Sequence, residues 1–492
     1  MLIPLEIPPG VYKNGTDFES SNRWLDSNLV RWQDGSLRPV GGWDTRKASA
    51  SASVPRGMHA WVDNSNGSAL AIGTHNKLLY VNASSTVTDI TPSSGFTAGD
   101  VNASVNVAYG GGFWNTGMYG ITRPNTGVYQ EATTWALDNF GQNLVACSSK
   151  DGKLWEWTLN VNNNAAAIAN APTGNLSMVV TEERFIFALG AGGNPRKVQW
   201  CDREANTVWS PAATNEAGDF ELVTSGQIMC GLRMRGSTLI LTDTDAHQAR
   251  YSGAPFVYGF ERVGTACGVA SRKAAVAIDQ GAFWMGNNGF FMFDGSVATE
   301  LQCDVHDLVF TNISNSQISK ATAVHNSQHS EIWWFYTSEN STENDRYVTF
   351  DYKEGHWAVG ELDRTAAVDR GIFDNPIWAD ASGNLYNHEY GVAHGTYKPY
   401  AESGSISLGN GDQIMKVTKL IPDELTQGDV KVTFKTRFHP NDTETVHGAF
   451  SLVNPTSVRF SGRQIRIRVE GERLADWRSG VMRIEADAGG KR

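Results

Sequence analysis

The sequence predicts an all-β chain: a β-propeller of six or seven irregular blades with an additional small C-terminal antiparallel β domain. Three observations carry this. From about 56 to 395 one theme recurs: an apolar strand, a turn of Gly, Asn or Asp, then a strand rich in aromatics. Taking Leu79, Leu154, Val198, Ala249, Phe291, Val348 and Leu385 as equivalent marks, the steps are 75, 44, 51, 42, 57 and 37 residues. Most of these lie near the roughly 40–50 residues of a propeller blade. The 50 glycines and 16 tryptophans fit the same class. Glycine supplies the positive φ of tight hairpins, and tryptophan favours strands and large rigid contacts.

Residues 1–50 read as an N-terminal arm with short strands. Arg23-Trp24-Leu25-Asp26 is followed by Val30 to Gln33, a turn at Asp34-Gly35, and Gly41-Gly42-Trp43. Residues 51–400 read as the propeller. Typical pairs are Leu144 to Cys147 leading through Lys150-Asp151-Gly152 to Leu154 to Trp157, and Ile332 to Tyr336 leading to Tyr347 to Phe350. A small blade sheet cannot bury both faces alone, and radial stacking solves this while leaving only short edges. The 75-residue step reads as an inserted loop, with an exposed aromatic stretch at Tyr109, Phe113, Trp114 and Tyr119. Asp304 to Ile313 reads as a short helix, with Val305, Leu308 and Val309 at helical spacing. Residues 401–492 change character. Val430 to Thr436, Val458 to Phe460 and Ile465 to Val469 alternate with period two, as strands with one buried and one wet face do.

The formal net charge is -11, which argues against a duplex-binding surface over the whole molecule. From Arg459 to Arg492, however, nine Lys and Arg stand against five Asp and Glu. The five cysteines lie far apart with no CxxC pair. They read as reduced, buried thiols of a protein made in a cytoplasm, not as a disulfide framework or a zinc site. The opening MLIPLEIPPGVY lacks a basic region ahead of an apolar core, so it does not read as a secretory leader. No apolar run approaches the roughly 20 residues of a membrane span, and no membrane anchor is expected.

Several constellations invite a chemical reading. Ser149-Lys150-Asp151-Gly152-Lys153-Leu154-Trp155 resembles the Asp-box turn of sialidase-type propellers, and Ser382-Gly383-Asn384-Leu385-Tyr386 is a looser version. Such a turn marks a fold: the Asp caps backbone amides and the aromatic packs beneath. His325 and His329 are spaced i, i+4 but lack the HExxH helix of a metalloprotease, and they read as solvated residues of a hairpin. Asp243-Thr244-Asp245 lacks the Gly and distal Glu of an EF-hand and reads as a solvated strand end. Gly190 to Pro195 precedes a strand rather than a helix, so it reads as a turn and not a phosphate loop. Arg463, Arg466, Arg468 and Arg478, with Arg473 and Arg483 nearby, are the candidate protein interface. The two readings of this group are a wet sheet face paired to Glu470, Glu472 or Glu485, and a docking face for another protein. No cofactor, metal or catalytic residue is nominated, and the expectation is a scaffold that is not an enzyme.

Three stretches resemble the propeller-bearing tail proteins of tailed bacteriophages, including the packaged-DNA stabilisation and tail-nozzle proteins. They are Arg23-Trp24-Leu25-Asp26 to Gly41-Gly42-Trp43, Ile332-Trp333-Trp334-Phe335 to Gly355-His356-Trp357, and Gly462-Arg463-Gln464-Ile465-Arg466 to Asp476-Trp477-Arg478-Ser479-Gly480. The resemblance implies a structural virion protein of the tail, made in the host cytoplasm. It implies a homo-oligomeric ring, typically hexameric, that meets adaptor or portal-proximal proteins and a tail needle or fibre. Double-stranded DNA would pass through the ring without sequence-specific binding. The alternatives are a tail-tip receptor- or glycan-binding propeller, and a sialidase-like glycoside hydrolase.

Overall fold

Seven four-stranded antiparallel sheets follow one another along the chain in the computed structural model. The structure describes all residues except 17–18, 106–128, 409–412, 426–427, 440–441, 473 and 491–492. The sheets start with the strands Pro55–Val62, Trp135–Phe140, Ser177–Val180, Ile228–Met234, Ala275–Ile278, Thr322–Asn326 and Ala366–Val368. Each of these first strands lies beside the first strand of the next sheet, and the seventh lies beside the first. The chain is therefore a closed seven-bladed β-propeller. All seven marks, from Leu79 to Leu385, fall in the third strand of successive blades.

Closure comes from the N-terminal segment. Trp43–Lys47 is the outer strand of the seventh blade, paired with Leu385–His388 from Leu385↔Lys47 to His388↔Trp43. Blade-to-blade contacts are built from tryptophans, whose indole N–H needs an acceptor once buried. Trp135 Nε1 donates to Thr74 O at 2.6 Å, Trp61 Nε1 to Gln142 O at 2.9 Å and Trp357 Nε1 to Gln302 O at 2.9 Å. Each of these bonds joins neighbouring blades.

The hairpins use local carboxylate caps. Asp380 accepts from the amides of Ser382 and Asn384, both at 2.9 Å, around Gly383 with φ 79°. Asp351 does the same for Lys353 and Glu354, both at 2.8 Å. These are Asx turns, the reason Asp recurs where strands reverse. The short helix is His306–Asn312, within the segment read as helical.

The C-terminal region forms two sheets face to face. One is ordered Leu2–Pro4, Arg483–Ala488, Met415–Ile421, Thr456–Gly462. The other runs Trp24–Asn28, Tyr400–Ser403, Gln464–Gly471, Val430–Arg437, Thr445–Ser451. Val417, Leu420, Ile484 and Ala486 from the first, and Val432, Phe434, Ile467 and Val469 from the second, are buried in one core. Residues 1–50 thus divide: two strands enter the sandwich and one closes the propeller. The sandwich also meets the sixth blade directly. Ser27 Oγ donates to Val359 O at 2.7 Å, and the Leu29 amide donates to the Tyr347 hydroxyl at 2.6 Å.

Candidate functional site

Two buried ionic clusters and the central channel are the places where this fold gathers charged side chains. The first cluster fixes the hairpin Val30–Gln33/Ser36–Pro39 to the propeller. Arg31 sits between two carboxylates, with all three side chains at most 6% exposed. Its Nε and Nη2 meet Glu331 at 2.7 and 2.9 Å, and its Nη1 and Nη2 meet Glu389 at 3.0 and 2.5 Å. This is the bidentate geometry that arginine forms with carboxylates. Asn326 Nδ2 bonds Glu389 at 2.8 Å, Trp333 Nε1 bonds Glu331 at 2.9 Å, and the Gly41 amide bonds Glu389 at 2.9 Å. Burial raises the Glu389 carboxyl, but Arg31 and His329 outweigh it and hold the group well below the usual carboxylate range.

The second cluster lies where the first strands enter the channel. The segment 90–134 joins the outer strand of the first blade to the inner strand of the second. Its two ends reach the opposite side of the ring. Gln317 brackets Ala103, accepting from its amide at 3.1 Å and donating to its carbonyl at 3.0 Å. The Ala132 amide donates to Ser319 Oγ at 3.2 Å, and Arg272 pairs with Glu131. Gln317 and Ser319 precede the sixth blade and Arg272 precedes the fifth. In a ring of seven, blades one and two touch five and six only across the axis. The described stretches 90–105 and 129–134 therefore form a strap across one mouth of the channel.

A buried lysine and arginine hold the strap. Lys320 Nζ is fully buried and uses all three hydrogens: on Asn102 Oδ1 at 2.6 Å, on Glu343 Oε1 at 3.0 Å and on the Thr342 carbonyl. Arg56 Nη2 donates to Glu343 at 2.7 Å and to Val101 O at 3.1 Å. Burial, with Arg56 beside it, lowers Lys320 to about 8 despite Glu343.

Within the channel, Asp138 Oδ1 lies 3.8 Å from His59 Nε2 and 3.7 Å from Arg233 Nη2. Its Oδ2 accepts from the Val180 amide at 3.1 Å. Burial lowers both His59 and Lys273, with Asp138 opposing the shift in each. Among the described residues no group of three His, Cys, Asp or Glu is placed to hold a metal ion. Among the described residues no helix is long and apolar enough to cross a membrane.

The residues singled out from the sequence fall as follows. Arg466 pairs with Glu444 at 3.0 Å. Arg468 pairs with Glu470 at 3.1 Å and Glu402 at 3.4 Å, over the Tyr400 ring. Arg478 lies 3.8 Å from Asp476, and the Arg463 amide bonds Arg437 O at 3.2 Å. Arg466 and Arg468 thus have carboxylate partners within the sandwich: Glu402 on the neighbouring strand, Glu470 on the same strand and Glu444 just before Thr445–Ser451, as on a wet sheet face. Tyr109, Phe113, Trp114, Tyr119 and Arg473 lie outside the described residues.

Asp151 accepts from Trp155 Nε1 at 2.8 Å and from the Thr97 amide at 2.9 Å, so the Asp-box-like turn fastens the strap to the second blade. Gly190 to Pro195 is a turn leading into Lys197–Trp200.

Two local expectations are corrected. His329 is not solvated; its side chain is 12% exposed and its Nε2 lies 3.4 Å from Glu389. Asp245 is buried, because Thr224 and Thr242 hydroxyls satisfy it. The Arg31 and Arg56 clusters were not visible in the sequence, since their partners are about 300 residues away along the chain.

No protein-family model matches the chain, and no curated protein matches it. Solved structures similar to it include the virginiamycin B lyase of Staphylococcus aureus, at 7% identity and a TM-score of 0.42, covering 70% of this chain and 98% of that one. A streptogramin B lyase matches at 9% identity and a TM-score of 0.40, covering 70% and 97%. PorZ, a surface component of the type-IX secretion system of Porphyromonas gingivalis, matches at 8% and 0.38, covering 86% of this chain and 53% of PorZ. These likenesses are of fold alone. They do overturn one expectation: two of the similar propellers are enzymes, so the statement that this chain is not an enzyme is withdrawn. The physical reason is that inner strands carry side chains from every blade to one axis. A rigid scaffold and a reaction centre are therefore not alternatives in this architecture.

Proposed function

We propose that the chain is a structural component of a bacteriophage tail ring, a nozzle or hub through which DNA is retained and then ejected. The observation that supports this most is the path of residues 1–50. One short segment adds strands to both sheets of the sandwich, is clamped by Arg31 and then completes the seventh blade. The two units become one body that resists being pulled apart, which suits a part that withstands packaged DNA. The strap adds a geometric condition. Since residues on both sides of the channel are bonded across one mouth, the DNA path lies between copies of the chain and not inside any one propeller. The first 400 residues hold forty Asp and Glu against twenty-seven Lys and Arg. An acidic wall would let duplex slide, because few phosphate contacts replace its counterions.

The test is mass spectrometry and electron microscopy of purified virions from a phage carrying this gene. The expected result is several copies per particle, located in the tail. Absence from virions would end the reading.

A further inference from the structure

The sandwich has one rim unlike the rest of it. Its strands alternate buried residues with half-buried ones, as in Val430–Arg437 and Gln464–Gly471, or with exposed ones, as in Thr456–Gly462. Thr445–Ser451 does not: five of its seven residues are exposed and the other two are half-buried. It is the last strand of its sheet, so among the described residues one row of its backbone N–H and C=O groups has no strand beside it. Proteins guard such edges with Lys, Pro, short length or cover. This strand, Thr-Val-His-Gly-Ala-Phe-Ser, has seven residues, no Lys and no Pro, and shows Val446 at 62% exposure. Val453, in the turn that follows, is also exposed. The other long outer strands differ. Val257–Thr265 carries Glu261 and Arg262, and His356–Glu361 is covered by Trp24–Asn28.

The strand that follows, Thr456–Gly462, edges the second sheet on the same rim. The solvent face of that sheet carries Lys416, Arg459 and Arg483, all exposed and none in an ion pair among the described residues, with Asp487 opposite Lys416 on the next strand. Lys419 on the same face is neutralised by Glu485 at 2.9 Å. Residues 401–492 hold fourteen Lys and Arg against twelve Asp and Glu, so the acidic excess of the chain lies entirely in residues 1–400. The charge is thus unevenly spread: residues 401–492 are close to neutral, and the net negative charge is carried by residues 1–400.

We propose that this rim, the Thr445–Ser451 edge with Val446 and the adjoining face with Lys416, Arg459 and Arg483, is a subunit interface that docks on the acidic propeller of a second copy. Two different surfaces meeting head to tail form a heterologous contact, which closes into a ring when the rotation between successive copies closes. The unpaired edge supplies main-chain hydrogen bonds, and the charges set which surface it meets. The inference rests on the ring reading above and specifies which surface of the chain makes it.

The experiment is native mass spectrometry and analytical ultracentrifugation of the full chain at low and high salt. It compares the wild type with Val446→Lys and with a triple variant, Lys416→Glu, Arg459→Glu and Arg483→Glu. All four side chains are exposed, so the thermal midpoint of each variant should match the wild type, which shows that folding is intact. The wild type is expected to form oligomers that loosen with salt. Val446→Lys and the triple reversal should each weaken association by about tenfold or more. Oligomers unchanged in both variants would overturn this interface and leave the ring standing. A wild type that is monomeric at every concentration would overturn both.

Discussion

Replacing Arg31 by Met removes a buried charge and leaves two behind. The methionine fills most of the stem volume, so the effect is electrostatic. Glu331 and Glu389 would keep their neutral partners, Trp333, Asn326 and the Gly41 amide. They would lose four short guanidinium contacts of 2.5 to 3.0 Å. Breaking a buried ion pair by deleting one partner costs about 3–5 kcal/mol, since a charge is left uncompensated. Against a total stability of about 5–15 kcal/mol this is a large fraction. Urea unfolding followed by tryptophan fluorescence suits the measurement, because Trp333 donates directly to Glu331.

The pH dependence has a defined sign. Glu389 in the folded protein lies well below its unfolded value, because Arg31 and His329 favour its charged form. Its contribution is present above the ordinary carboxylate range and is lost as pH falls through the depressed folded value. The variant lacks Arg31's share of that contribution, so its deficit is greatest near neutral pH and shrinks on acidification. Converting Glu331 and Glu389 to Gln as well should recover most of the loss. A deficit under about 1 kcal/mol, or one that does not change with pH, would refute the claim that this network holds the hairpin on the propeller.

Three further outcomes follow from the packing. A Cβ on Gly73 would sit 2.3 Å from Trp135 Cγ, so Gly73→Ala should force the first two blades apart and cost about 1–3 kcal/mol in the same urea assay. All five cysteines are buried and unpaired, and burial pushes Cys147, Cys201, Cys230 and Cys303 up to about 12. A thiol reagent at neutral pH should therefore label none of them until denaturant is added. Deleting residues 1–54 strips the outer strand from the seventh blade and exposes Leu385–His388 as an open edge, so the truncated chain should aggregate or fail to refold, read by light scattering.

The blades were legible because each is a local unit. Leu144–Cys147, the Asp151-Gly152 turn and Leu154–Trp157 are consecutive, and the same signals recur near a blade's length. The sandwich strands were legible for the same reason, since period-two alternation is written within each strand. The closure was not. Trp43–Lys47 looks like any short strand, and only the geometry of a finished ring assigns it to a blade that ends 340 residues later. The ionic clusters were hidden likewise. Arg31 and Arg56 carry no motif, and their value lies in carboxylates brought to them by the fold. Asp245 and His329 were misjudged because polar type suggests solvent exposure, whereas here neighbours satisfy them inside the structure.

Cryo-electron microscopy of the assembled protein with DNA tests the central claim most directly. The account predicts a closed ring of copies, each a seven-bladed propeller joined rigidly to its sandwich, with DNA density on the ring axis and none along the axis of any single propeller. Isolated monomers, or duplex threaded through one propeller's own channel, would contradict it.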